Sequence, residues 1–66
     1  MSVAKVMEIT SASSKSFEDA INQGIERAAK TVRGMQSAWV QEQKVAIENG
    51  RIKEYRVNMK ITFLLD

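Results

Sequence analysis

Few side chains in this 66-residue sequence are equipped for chemistry. It has no histidine and no cysteine, so the commonest general base and the thiolate nucleophile or ligand are both missing. No glycine-rich segment follows a strand to cradle a phosphate. The serines at 11, 13, 14 and 16 cluster as turn and cap residues rather than beside a base. An enzyme, and hence any catalytic residue, is not expected. What remains is a binding set. Trp39, the one tryptophan, is a stacking platform for an aromatic ring or, alternatively, an aromatic packed between subunits. The guanidinium fork of Arg56 suits a phosphate or carboxylate; its other reading is an intersubunit salt bridge to Glu42, Glu54 or Asp66. The amides of Gln41, Gln43 and Asn58 can serve the edge of a heterocycle or satisfy one another across subunits. Glu8, Glu42 and Glu54 are carboxylates for a hard cation such as calcium, which wants many oxygens. No loop has the Asp/Asn density of a dedicated calcium site. No metal ligand is therefore assigned, and any such site would be assembled between subunits.

These residues sit on elements that the sequence pattern outlines. Residues 3–10, VAKVMEIT, have strand composition, and the polar run at 11–16, SASSKS, separates them from the next element. Ser13 or Ser14 is a candidate helix cap. Phe17, Ala20, Ile21, Gly24, Ile25, Ala28 and Val32 recur at spacings of three and four, which predicts a helix over about 14–33 with one apolar stripe. Glu18 and Asp19 near its start and Arg27, Lys30 and Arg33 near its end suit the helix dipole. Gly34 is a plausible stop, and Gly24 on the stripe points to close approach of helix to sheet.

The last half reads as one long hairpin. Asn49-Gly50 between alternating runs signals a two-residue type I′ turn. An uninterrupted register then pairs Glu48 with Arg51 and Ile47 with Ile52 and continues outward. One face carries Ala38, Val40, Glu42 and Lys44 opposite Ile61, Met59, Val57 and Tyr55, and is expected to cover the helix. The other carries Ser37, Trp39, Gln41 and Gln43 opposite Thr62, Lys60, Asn58 and Arg56. A β-bulge within 40–47, where the polarity changes, would shift this pairing. The expected core is Phe17, Ile21, Ile25, Val57, Met59, Ile61 and Phe63, with Met7 able to pack on either side. The fold class is α+β: a β-α-β-β subunit whose three-stranded antiparallel sheet wraps one helix, in a single domain over 1–66.

Composition sets the setting. Hydrophobic residues at 44% and charged residues at 27% are globular proportions. A net charge of +2 is a mild excess, and Arg51, Lys53, Arg56 and Lys60 are spread along one strand rather than packed into a basic stripe. No nucleic-acid partner is expected. No apolar run approaches the roughly 20 residues of a membrane span, and residues 1–10 show no signal-peptide pattern, so no membrane association and a cytoplasmic location are expected. A chain this small, without disulfide or metal, often gains stability by self-association.

The stretches VAKVMEITSASSKSFEDAINQGIERAAKTVR and WVQEQKVAIENGRIKEYRVNMKITFLLD, in their order and spacing, resemble the dodecin family over essentially the whole chain. The resemblance implies a hollow homododecamer, with itself as protein partner and small-molecule ligands held inside the shell. It implies binding and storage of a flavin, FMN or riboflavin, stacked in pairs between tryptophans, with calcium in some members instead. By the same resemblance the flavin-stacking tryptophan falls at Ser37 and the flavin-contacting glutamine at Arg56, so both are replaced here. Trp39 stands two residues further along the same face. The implied site residues are Ser37, Trp39, Gln41, Arg56 and Asn58, with flavin affinity weaker than in members that keep the tryptophan and glutamine.

Overall fold

The computed structural model describes residues 2–65, so Asp66, one expected partner for Arg56, lies outside the described residues. The element order is β1 (Val3–Ser13), α1 (Phe17–Ala29), β2 (Met35–Glu48) and β3 (Arg51–Leu65). All three strands are antiparallel, in the order β1-β3-β2. The last strand in sequence is therefore the centre of the sheet. It is also the most buried, because Val57, Met59 and Ile61 point under the helix and are essentially inaccessible.

The helix meets the sheet through its smallest residues. Ala20, Gly24 and Ala28, spaced by four, are its buried positions. Phe17, Ile21 and Ile25 flank this row and pack half-buried against Ala20, Val57 and Met59, together with Ile9 and Val40. Gly24 is needed for space. A Cβ there would sit 2.8 Å from Met59 Cε and 3.0 Å from Ser11 Cβ. Met7, paired with Ile61, lies on the helix side, and Phe63 is half-buried.

Three expectations about boundaries are corrected. The first strand does not stop at Thr10: β3 is long enough to offer partners as far as Tyr55, and Ser11 and Ser13 pair with Val57 and Tyr55. The helix starts at Phe17, later than 14, because Ser16 is the cap and its Oγ accepts from the Asp19 N–H at 2.9 Å. Ser13 instead accepts from the Lys15 N–H at 2.9 Å and donates to the Asp19 carboxylate at 2.6 Å. The helix ends at Ala29, short of 33, where the Ala28 carbonyl accepts from the N–H groups of both Thr31 and Val32 and closes the last turn. Val32, Arg33 and the Lys30 cap thus fall beyond the helix. Gly34, at φ 75°, opens the turn into β2 and accepts from the Leu64 N–H at 3.0 Å.

The hairpin turn is as expected, with Asn49 at φ 53° and Gly50 at φ 74°. The uninterrupted register is not. It holds from Glu48↔Arg51 to Ile47↔Ile52, and again from Val40↔Met59 to Ser37↔Thr62. Between these stretches it is shifted by one, giving Ala46↔Glu54, Val45↔Tyr55, Lys44↔Arg56, Gln43↔Val57 and Glu42↔Asn58. Lys53 on β3 and Gln41 on β2 are the residues left unpaired, and a third irregularity leaves Gln36 unpaired near the start of β2. The two inner bulges cancel, so the pattern near the turn and at Trp39 looks regular although the middle is displaced.

The contacts at Gly24 and at Asp19 each generate a stability prediction. Alanine at Gly24 would gain about 1 kcal/mol of helix propensity, yet its Cβ meets a fully buried side chain and a strand Cβ. We expect Gly24→Ala to melt no higher than the parent and Gly24→Val to lose about 2 kcal/mol; a clear rise in melting temperature for the alanine variant would show that the helix is free to move outward. The Asp19 carboxyl is held below its ordinary pKa chiefly by the Ser13 hydrogen bond, opposed by desolvation and helped by Gln23 and the charge of Lys15. A depressed carboxylate stabilises the fold at pH values above its unfolded pKa, and that contribution is lost as the pH falls through the lower folded value. Ser13→Ala should therefore raise the Asp19 pKa in an NMR titration, and an unchanged value would rule out the hydrogen bond as its cause.

Candidate functional site

One helix covers one face of the sheet and leaves the other open. Strand pairing places Ala4, Val6, Glu8, Thr10 and Ala12 of β1 beside Leu64, Thr62, Lys60, Asn58 and Arg56 of β3 on that open face. From β2 come Ser37, Trp39, Glu42, Lys44 and Ala46. The transverse rows are therefore Glu8–Lys60–Trp39, Thr10–Asn58–Glu42 and Ala12–Arg56–Lys44.

Of the site residues expected from sequence, Trp39 stands opposite Lys60 as anticipated and is 65% exposed. Arg56 and Asn58 come together in a shallow depression of about 100 Å³ lined by Thr10, Glu42, Lys44, Arg56, Val57 and Asn58. Arg56 donates from Nε to Glu54 at 2.6 Å, so its guanidinium is oriented within its own strand. Asn58 donates to the Thr10 hydroxyl at a long 3.4 Å. Ser37 is separated from this group. It borders a depression of about 260 Å³ with Ile25, Met35, Gln36, Ala38 and Ile61, on the exposed edge of β2. Gln41 does not face Asn58. It is the unpaired bulge residue, and Glu42 takes the place expected for it. Gln43 likewise yields its place opposite Arg56 to Lys44 and pairs with Val57 instead.

Glu42 and Lys44 are thus corrected from the helix-covered face to the open one. The signal was in the sequence. A carboxylate and an ammonium in an otherwise apolar row are too costly to bury unpaired, and one extra residue in the strand turns both outward. Thr10, the remaining polar residue of the depression, gave no such sign, because only the pairing of β1 with β3 brings it alongside Asn58.

Other polar clusters are sparse. Among the described residues no group of three or more Asp, Glu, His or Cys is placed to hold a metal ion. Glu8, Glu42 and Glu54 nevertheless all lie on the open face, each in a different transverse row. No helix of the described residues is long and apolar enough to cross a membrane.

Comparison with known proteins agrees with this architecture. The family model described as Dodecin matches residues 3–66. The chain belongs to the dodecin family. Among curated dodecins, it is 33% identical over 63 residues to the "Calcium dodecin" of Mycobacterium tuberculosis, covering 96% of this chain and 89% of that one. Among solved structures, the dodecin from Streptomyces davaonensis superposes with a TM-score of 0.93 at 31% identity, covering 98% of this chain and 96% of the other. An arginine-to-alanine variant of the Thermus thermophilus dodecin gives 0.95 at 32% identity, covering 100% and 98%. The Mycobacterium tuberculosis calcium dodecin, described as a calcium-chelating antigen with a novel calcium-binding site, gives 0.84 at 32% identity, covering 97% and 91%.

The register of this dodecin is directly testable, because the chain has no cysteine. The double variant Lys44→Cys with Arg56→Cys should form a disulfide on mild oxidation, since directly opposed strand residues satisfy the required separation. Gln43→Cys with Arg56→Cys should not. The reverse pattern, read by mass spectrometry of the non-reduced peptides, would mean that the hairpin runs without the bulge at Gln41.

Proposed function

We propose that this dodecin is a non-enzymatic binding and storage protein that assembles with copies of itself into a hollow homododecamer. Its open sheet face holds a small planar ligand of flavin type. The observation that carries this reading is Trp39: a 65% exposed tryptophan standing on the open face, with Lys60 opposite, Asn58 one row away and Arg56 two rows away. A ring stacked on Trp39 would find hydrogen-bond donors and acceptors within the same sheet. Self-assembly is supported by the amount of apolar surface one subunit leaves uncovered. Ile47 at 67% and Ile52 at 52% form the hairpin tip, and Val3 and Val6 are exposed near the opposite end. Flavin affinity is expected to be modest, because Ser37 and Arg56 stand where the family resemblance places the stacking tryptophan and the contacting glutamine.

A second reading is calcium binding, favoured by the likeness to the calcium dodecin of Mycobacterium tuberculosis. Within one described chain the carboxylates are too dispersed for this. Glu8, Glu42 and Glu54 on the open face would have to meet those of neighbouring subunits.

Titration of the protein into riboflavin and FMN, followed by flavin fluorescence, tests the first reading. Quenching that disappears in Trp39→Ala supports stacking on this residue. An intact assembly on a sizing column with no quenching removes the flavin reading. Dialysis against a chelator tests the second: the cation reading requires loss of heat stability or of the assembly, restored by added calcium.

A further inference from the structure

The two edges of the sheet are not alike. With β3 in the centre, β1 and β2 are its edge strands among the described residues. β2 pairs irregularly, and its backbone is interrupted by unpaired residues at Gln36 and Gln41. Bulges of this kind turn an edge away from further pairing. β1 has no such guard. It pairs with β3 without a break from Val3↔Leu65 to Ser13↔Tyr55, and the chain has no proline to block it. An antiparallel neighbour takes up only alternate pairs of backbone N–H and C=O groups, so every second residue of β1 turns its pair outward.

The helix overhangs that edge without filling the space beside it. A groove of about 560 Å³ runs between the middle of β1 and the side of α1 that carries Gln23, Arg27 and Thr31. Met7 and Ile9 give it an apolar floor, and the small Gly24 and Ala28 leave it deep. Arg27 is the one charged residue of the lining, and among the described residues it makes no ion pair. Glu8, next to the groove in sequence, stands on the open face opposite Lys60. Gln23 donates its amide to the Asp19 carboxylate, which leaves its carbonyl oxygen as an acceptor at the groove.

We propose that this groove receives an extended peptide segment bearing a carboxylate side chain, added to β1 as a fourth strand. Backbone pairing with the free edge supplies affinity with little regard to sequence, and the groove supplies the choice of side chain. Side chains on the helix side of the added strand fall two residues apart, apolar ones on Met7 and Ile9 and an acidic one at Arg27, whose fork suits a carboxylate. A second copy of this chain fits less well. The β1 edge of a copy related by a two-fold axis brings like charge against like at Arg27, and the β2 edge of a copy is interrupted by its own bulges. The groove lies on the other edge and the other face of the sheet from Trp39, so this inference does not rest on the ligand reading of the open face.

The probe is a dye-labelled Val-Thr-Glu-Thr-Val peptide amide, which alternates as the groove requires, followed by fluorescence anisotropy. The parent should bind it about fivefold more tightly than a twin with Gln at the centre, the scale of one exposed ion pair. Arg27→Gln should bind the two alike, and Arg27→Glu should favour a twin with Lys at the centre. On adding the Glu peptide, hydrogen exchange should slow at amides of β1 and stay unchanged along β2. Arg27 is exposed, so the variants are expected to fold, which their elution and melting as the parent checks. Absence of binding, equal binding of the Glu and Gln peptides by the parent, or slowing along β2 instead overturns the proposal. So does exchange at the outward β1 amides that is already slow in the peptide-free assembly and fast in the dissociated subunit, because a second copy then holds the edge. None of these outcomes depends on whether flavin or calcium binds.

Discussion

One helix cannot cover this sheet, and most of the molecule's properties descend from that mismatch. Thirteen helical residues span about 20 Å, whereas the fifteen residues of β3 span about 50 Å. The molecule is accordingly long and thin, 51 × 20 × 13 Å. A core forms only where the helix lies, around Ala20, Val57 and Met59. The distal hairpin and the whole opposite face have no cover from their own chain. A subunit so built buries little apolar surface for its length, and association with further copies is the natural completion.

The close fit of helix to sheet is what makes so small a core serviceable. Ala20, Gly24 and Ala28 present almost no side chain, so the helix backbone comes down onto Met59 and Ser11. The larger Phe17, Ile21 and Ile25 then pack to the sides of the contact instead of holding it apart. Tyr55 continues this packing beyond the helix start through an edge-on contact with Phe17, ring centres 5.2 Å apart. The Ser13–Asp19–Gln23 hydrogen bonds tie the end of β1 to the first turns of the helix at the same place.

The two bulges that bracket residues 42–46 decide which side chains line the candidate site. Each adds one residue to one strand, and together they displace the middle of the hairpin by one position while leaving both ends in register. Because side chains alternate from face to face, that single displacement decides whether Glu42 and Lys44 press on the core or stand beside Asn58 and Arg56. The candidate site is a product of this displacement, since part of its lining comes from the strand that was moved.

Much was legible in the residues alone. The order β-α-β-β, the helix stripe through Phe17 and Ile25, the Asn49-Gly50 turn and the buried row Val57, Met59 and Ile61 all rest on local periodicity or turn chemistry, which short stretches of sequence carry by themselves. Gly24 announced the close approach because a glycine on an apolar helix face has little other use. Tertiary structure decided the rest. The extension of β1 to Ser13 depends on how far β3 reaches alongside it, a property of the opposite end of the chain. The early end of the helix at Ala29 depends on the turn that must deliver β2 to the sheet. The position of the unpaired residue within 40–47 was open, because a bulge at any of several positions satisfies the same composition, and only the pairing of β2 with β3 places it at Gln41. For that reason the exposure of Trp39 and its place opposite Lys60 were readable in advance. The meeting of Lys44 with Arg56, and of both with Thr10, was not.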